Sequence, residues 1–158
     1  MELSDEQLMF LAIEEAKLAM EQGEVPIGAV VLLGSEVIAR AHNGREGHKN
    51  PVAHAEILAL EMAAHHVGDW RLGGSTLVVT LEPCTMCAGA LVNARVDRVV
   101  FGAADPKAGA CGTLYNLCSD PRLNHEVRVT SGVLEAECSE LLRSFFSQRR
   151  SGPEREIV

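Results

Sequence analysis

The sequence predicts a three-layer α/β/α domain built on a mixed five-stranded sheet. Three observations carry this expectation. β-rich and helical segments alternate along the chain, the first two β-rich runs are joined by only two residues, and 47% of the residues are hydrophobic without any run long enough to span a bilayer.

The elements follow in order. Ser4 and Gln7 form a capping-box pattern, and Met9, Ala12, Ile13, Ala16, Ala19 and Met20 recur at helical spacing as far as Gly23, which predicts an amphipathic first helix. Residues 27–33 and 36–42 are apolar or alternating runs joined at Gly34-Ser35, a connection that suits a hairpin. A polar stretch with Gly44, Gly47 and Pro51 follows, and 54–67 is helical in composition. Segment 76–81 reads as a strand, 84–94 as a short Ala-rich helix, 98–101 and 126–130 as further strands, and 134–148 as a closing helix. Strands separated by helices favour parallel pairing, whereas the opening hairpin is antiparallel, so the sheet is expected to be mixed. Strand order is not legible from these spacings. Residues 1–150 are expected to form one domain and 151–158 a C-terminal tail.

Charge and cysteine usage narrow the function classes. The formal net charge of −8 argues against a large basic footprint for nucleic acid. The imbalance is local: residues 1–24 hold seven acids against Lys17, a net −6, and the rest of the chain carries −2. The acidic first helix is therefore expected to face away from any RNA. Five cysteines, an odd number, follow an acidic rather than a basic start, which favours reduced thiols or metal ligation over a disulfide framework. A cytoplasmic protein is the expectation.

The chemistry concentrates in VAHAE, with His54 and Glu56, and in LEPCTMC, with Cys84 and Cys87. The two cysteines sit three apart after Pro83, a residue suited to a helix start, so both sulfurs are expected on one side of a first turn. The helix dipole favours thiolates there. A structural zinc site normally needs four protein ligands, and no second CxxC or paired His at matching spacing supplies them. With His54 as third ligand, the fourth position is left to water, as in a catalytic site. Glu56 is about 200° around an ideal helix from His54, which makes it an acid–base group beside that water rather than a ligand. The competing readings are a capping or solvent-facing His54 and a redox CxxC. His42, His48, His65, His66 and His125 read as surface or loop residues, and Cys111, Cys118 and Cys138 as buried or incidental thiols.

The joint pattern H-x-E…P-C-x-x-C is the known signature of zinc nucleobase deaminases. Through EVPIGAVV, HNGRE, PVAHAEILAL, LEPCTMCAGA, RVVFGAADPKAGACGTL and NHEVRVTSGVL, nearly the whole chain resembles the cytidine deaminase superfamily. FGAADPKAGACG and the ending FFSQRR resemble the bacterial tRNA adenosine deaminase (TadA) family within it.

That resemblance implies a zinc-dependent hydrolase that converts adenosine to inosine at the wobble position of a tRNA anticodon, by attack of zinc-activated hydroxide with Glu56 as proton shuttle. It also implies one Zn²⁺ per chain held by His54, Cys84 and Cys87, a homodimer, and an anticodon stem-loop as partner. Asn43 takes the base-contacting amide position, Ala55 lies in the substrate-binding segment, and Asp105 and Lys107 match the segment beside the cleft. A loop Asn is also an ordinary turn former. Arg149 and Arg150 could meet RNA phosphate or form an ordinary helix-end surface. Asn50 and Val52 stand where the family commonly has Asp and Thr. Two rivals stay open: a deaminase of free nucleobases or nucleosides, guanine or cytosine, and a non-catalytic zinc-binding RNA subunit.

Overall fold

A computed structural model describes residues 2–150 of the chain, Arg150 by its backbone alone. The expected tail, 151–158, and the Arg150 side chain lie outside the described residues.

Among the described residues nine elements follow one another: α1 (Asp5–Glu21), β1 (Gly28–Leu33), β2 (Glu36–His42), α2 (Ala55–Val67), β3 (Ser75–Leu81), α3 (Thr85–Asn93), β4 (Arg98–Ala103), β5 (Arg128–Thr130) and α4 (Glu135–Arg150). The sheet order is β2-β1-β3-β4-β5. β1 is antiparallel to both β2 and β3, while β3–β4 and β4–β5 are parallel. The mixed five-stranded sheet expected from the sequence is therefore the one that forms.

Strand alternation divides the core between two layers. Ala29, Val31, Leu77, Val79, Val99 and Phe101 face α2 and α3, where they pack with Ala59, Ala63, Ala88 and Leu91. The intervening Val30, Val78 and Val100 face α1 and α4, against Leu8, Met9, Ala12, Ile13 and Cys138. Small residues on the helices let them approach closely. At Gly28 an added β-carbon would collide with the Ala12 carbonyl oxygen and lie 2.6 Å from the Ala16 nitrogen.

Local signals explain the ends. The Ser4 hydroxyl accepts from the Gln7 N–H at 3.1 Å and the Gln7 side chain accepts from the Ser4 N–H at 2.8 Å, completing the capping box. Gly34 turns the hairpin at φ +64°, and Gly68 ends α2 in the left-handed region.

Several boundaries differ from the sequence expectation, and three of them have a visible local cause. β4 runs two residues beyond 101, because the Ala103 carbonyl still accepts from the Glu82 N–H. β5 begins at Arg128, since the Val127 N–H bonds to Cys118 in the preceding loop rather than to β4. α4 starts after Leu134, whose φ of +52° is not helical.

Candidate metal-dependent active site

A cleft opens where the carboxyl ends of β3 and β4 lie beside the beginning of β1, the edge at which ligands bind in open α/β sheets. Its cavity volume is about 160 Å³, below the roughly 300–1,000 Å³ of drug-sized ligand pockets. The N-termini of α2 and α3 both contribute to it. Asn43, His54, Ala55, Glu56, Cys84 and Asp105 line this cleft.

His54 and Cys84 are the N-cap residues of α2 and α3, with extended backbones, and neither side chain makes a capping bond. Cys84 thus lies one residue before the helix rather than within it, held there by Pro83. Freed from capping, both side chains turn toward Cys87. The His54 Nδ1 lies 3.7 Å from the Cys84 sulfur and 3.5 Å from the Cys87 sulfur, and the three atoms lie within 4.8 Å of one another. Zn–S near 2.3 Å and Zn–N near 2.0–2.1 Å at a tetrahedral centre place N and S roughly 3.6 Å apart. The donor set and its spacing therefore fit a zinc ion with one position left over.

Electrostatics favour the same use. The hydrogen bond from Cys87, joined by that of His54, pulls the Cys84 thiol down to about 3. The bond to Cys84 also raises the His54 pKa, helped by the negative charge of Glu56. Cys87 moves up, because its thiol donates to Cys84 and is buried. Cys84 is the ready thiolate of the pair. Glu56, 4% exposed in the first turn of α2, is pushed up to about 7 by burial, so it can exchange a proton near neutrality.

Across the cleft, the Asn43 main-chain N–H donates to Ile27 at 3.0 Å. Its Nδ2 reaches the Val25 carbonyl at 3.4 Å, while its Oδ1 is buried with no hydrogen-bond partner among the described residues. Asn43 lines the cleft, and its side chain bonds to Val25 rather than closing a local turn. Asp105 lines the cleft and uses its carboxylate to accept from the N–H groups of Lys107 and Ala108 at 2.9 and 3.1 Å. Lys107 is exposed and outside the lining. Arg149 is not among the residues that line the cleft: it stacks on Phe145 at 4.6 Å and donates to the Gly23 carbonyl at 2.7 Å.

The sequence reading missed Val25, Ile27, Arg45, Leu81, Glu82 and Ala108 as lining residues. Arg45 and Glu82 lie within HNGRE and LEPC, so proximity to the signature was the available signal. Desolvation raises the Glu82 pKa, but the Thr113 hydroxyl and the Asp105, Thr113 and Cys111 N–H groups outweigh it and leave the carboxyl below the usual range. Cys111 and Cys118 are buried with sulfurs 3.7 Å apart, and Cys138 is buried on the face of α4 that packs against the sheet.

The chain matches the MafB19-like deaminase family over residues 3–150. It is 57% identical over 146 residues to a tRNA-specific adenosine deaminase of Bacillus subtilis, covering 92% of this chain and 91% of that one. A solved structure of a tRNA:A34 deaminase, from a study of A-to-I editing at the wobble position of transfer RNA, is 47% identical with a TM-score of 0.83, covering 85% of this chain and 98% of its own. NE0047 bound to 2,6-diaminopurine is 25% identical with a TM-score of 0.83, covering 99% of this chain and 88% of its own.

Proposed function

This chain belongs to the bacterial tRNA-specific adenosine deaminases within the MafB19-like deaminase family, and from that premise we propose that it converts adenosine to inosine at the wobble position of a tRNA anticodon. The observation that carries the proposal is the meeting of His54, Cys84, Cys87 and Glu56 in one cleft with the unpaired Asn43 oxygen opposite.

His54, Cys84 and Cys87 hold one zinc ion per chain. When bound, zinc supplies a Lewis acid that makes water nucleophilic at neutral pH. Glu56 takes the proton of the attacking water on its carboxylate and returns protons to the purine ring nitrogen and the leaving amine. Water and adenosine thus become inosine and ammonia. Asn43 offers Oδ1 to a base-edge donor, the Ala55 main chain and Asp105 bound the base, and Val25 and Ile27, in the segment just before β1, supply an apolar wall. A base enters such a cleft only after leaving its stack, which anticodon loops permit and duplexes resist.

Lys107 and Arg149 are offered as phosphate contacts from outside the cleft, with two copies of the chain sharing one stem-loop in the cytoplasm. No helix among the described residues is long and apolar enough to cross a membrane. Acids of α1 are partly neutralised at home: Asp5 pairs with Arg98, and Glu14 and Glu15 with Arg40. Retention of Glu56 in the cleft weighs against a non-catalytic RNA subunit.

The test is inosine formation in an anticodon stem-loop by purified protein, beside ammonia release from free guanine, cytosine and adenosine. The stem-loop is the expected substrate. Faster turnover of a free base would replace the tRNA reading with a free-base deaminase.

A further inference from the structure

Glu82 is 2% exposed, and its carboxylate sits between the start of α3 and the loop over 105–113. A buried carboxylate is costly unless several donors satisfy it. Here the donors all come from that loop. Oε1 accepts from the Asp105 N–H at 3.0 Å and from the Thr113 hydroxyl, and Oε2 accepts from the N–H groups of Cys111 at 3.0 Å and Thr113 at 3.1 Å. The main chain reinforces the link, since the Ala110 N–H donates to the Pro83 carbonyl at 2.9 Å. Gly109 is fitted to the same carboxylate. A β-carbon there would collide with Glu82 Oε1 and lie 2.6 Å from the Asp105 carbonyl oxygen.

The loop tied down in this way carries Asp105 and Ala108 of the cleft wall, and the strand end that ties it continues through Pro83 to Cys84. We propose that Glu82 is a positioning residue of the deaminase site: its carboxylate fixes the base-contacting loop 105–113 in register with the helix that presents Cys84 and Cys87. The inference rests on the functional reading above. Both carboxylate oxygens of Glu82 are occupied by donors of the loop, which leaves it a positioning role rather than a chemical one. It sets the distance between the wall that orients the base and the groups that attack it, and a displacement near 1 Å at such a wall costs up to about 100-fold in rate.

The test compares wild type with Glu82→Gln, which keeps the size and turns one acceptor oxygen into a donor facing N–H groups. Thr113→Val, which leaves Glu82 in place and removes only the hydroxyl donor, is the second variant. Amide hydrogen exchange over 105–113, zinc content and single-turnover inosine formation are measured on the same samples. Glu82→Gln is expected to lose protection across 105–113 and to keep one zinc per chain. Its rate per bound zinc should fall about 10- to 100-fold while KM for the stem-loop changes less than about threefold. Thr113→Val should move the same way by about 3- to 10-fold, and it decides the matter alone if Glu82→Gln does not fold. A merely structural Glu82 would lower the folded fraction and leave the rate per zinc unchanged, which overturns the proposal, as does wild-type protection over 105–113. Wild-type protein inactive on the stem-loop counts against the tRNA reading instead, and the exchange result then decides the coupling by itself.

Discussion

Arg98, the first residue of β4, grips Asp5 in the first turn of α1 through two hydrogen bonds of 2.7 and 2.9 Å across 93 residues of sequence. The pair pins the acidic helix to the sheet, and Asp5 also complements the positive end of the helix dipole. Asp5→Asn keeps the size and removes the charge. Partial exposure limits the loss to about 1 kcal/mol, or roughly 2–4 °C in midpoint for a chain of this length. The Arg98 hydrogen bond, then its charge, lowers the Asp5 pKa in the folded state. Its contribution is therefore fully present above the unfolded value near pH 3.9 and is lost as pH falls through the lower folded value. Denaturant titrations of both proteins should show the gap at neutral pH and its closure in acid; a gap that persisted unchanged below pH 3 would contradict this assignment.

Gly28 marks the closest approach of α1 to β1. A methyl group there meets the Ala12 carbonyl oxygen, the Ala16 nitrogen at 2.6 Å and the Glu15 β-carbon at 2.8 Å, and backbone atoms cannot swing aside as a side-chain tip can. Gly28→Ala should therefore cost at least about 3 kcal/mol, the upper end for overpacking, by displacing the whole helix. Chemical denaturation measures it, and a loss under about 1 kcal/mol would mean that α1 packs less tightly than this spacing.

Much of this arrangement was legible in residue order, and the rest for identifiable reasons was not. The apolar run of β1, the alternation through β2 and the Gly34 turn made the hairpin legible, because strand patterning and turn chemistry are local properties. The order β2-β1-β3-β4-β5 depends on which apolar face meets which helix, and Val-rich runs such as β3 and β4 carry no label for a neighbour. The candidate metal-binding group was visible because His54, Cys84 and Cys87 are chemically distinctive at fixed spacing, and the fold brings them together. Glu82 was not, since its partners are mainly main-chain N–H groups that any sequence possesses. The isolation of Asn43 Oδ1 likewise exists only once β1, β2 and α2 have closed around it.

Two apolar layers form without recourse to the metal, so the apo chain should remain folded. Chelation should abolish inosine formation, leave the far-ultraviolet circular dichroism largely intact and lower the melting temperature. A ligand present at about 100 times its Kd adds about 2.7 kcal/mol, which corresponds to roughly 5–11 °C here. Cys84→Ser or Cys87→Ser should lose zinc by elemental analysis and behave as the chelated protein does. Unchanged zinc content in either variant would remove that sulfur from the ligand set.

Glu56→Gln separates holding the metal from moving protons. The amide has nearly the same volume in a site only 4% exposed, so the packing of the first turn of α2 should survive. His54, Cys84 and Cys87 are untouched and zinc should stay at one per chain. Burial raises the Glu56 carboxyl to about 7, which suits a group that must both accept and return a proton near neutral pH, and an amide can do neither. General acid–base contributions are typically about 100- to 10,000-fold, and a residue serving the water, the ring nitrogen and the leaving amine in turn belongs at the upper end. Stem-loop affinity should change little, because Glu56 is buried in the cleft and no phosphate contact is assigned to it. Zinc content, affinity and single-turnover rate are best read on one preparation. Full zinc occupancy and normal binding together with a wild-type rate would show that the proton passes through another group.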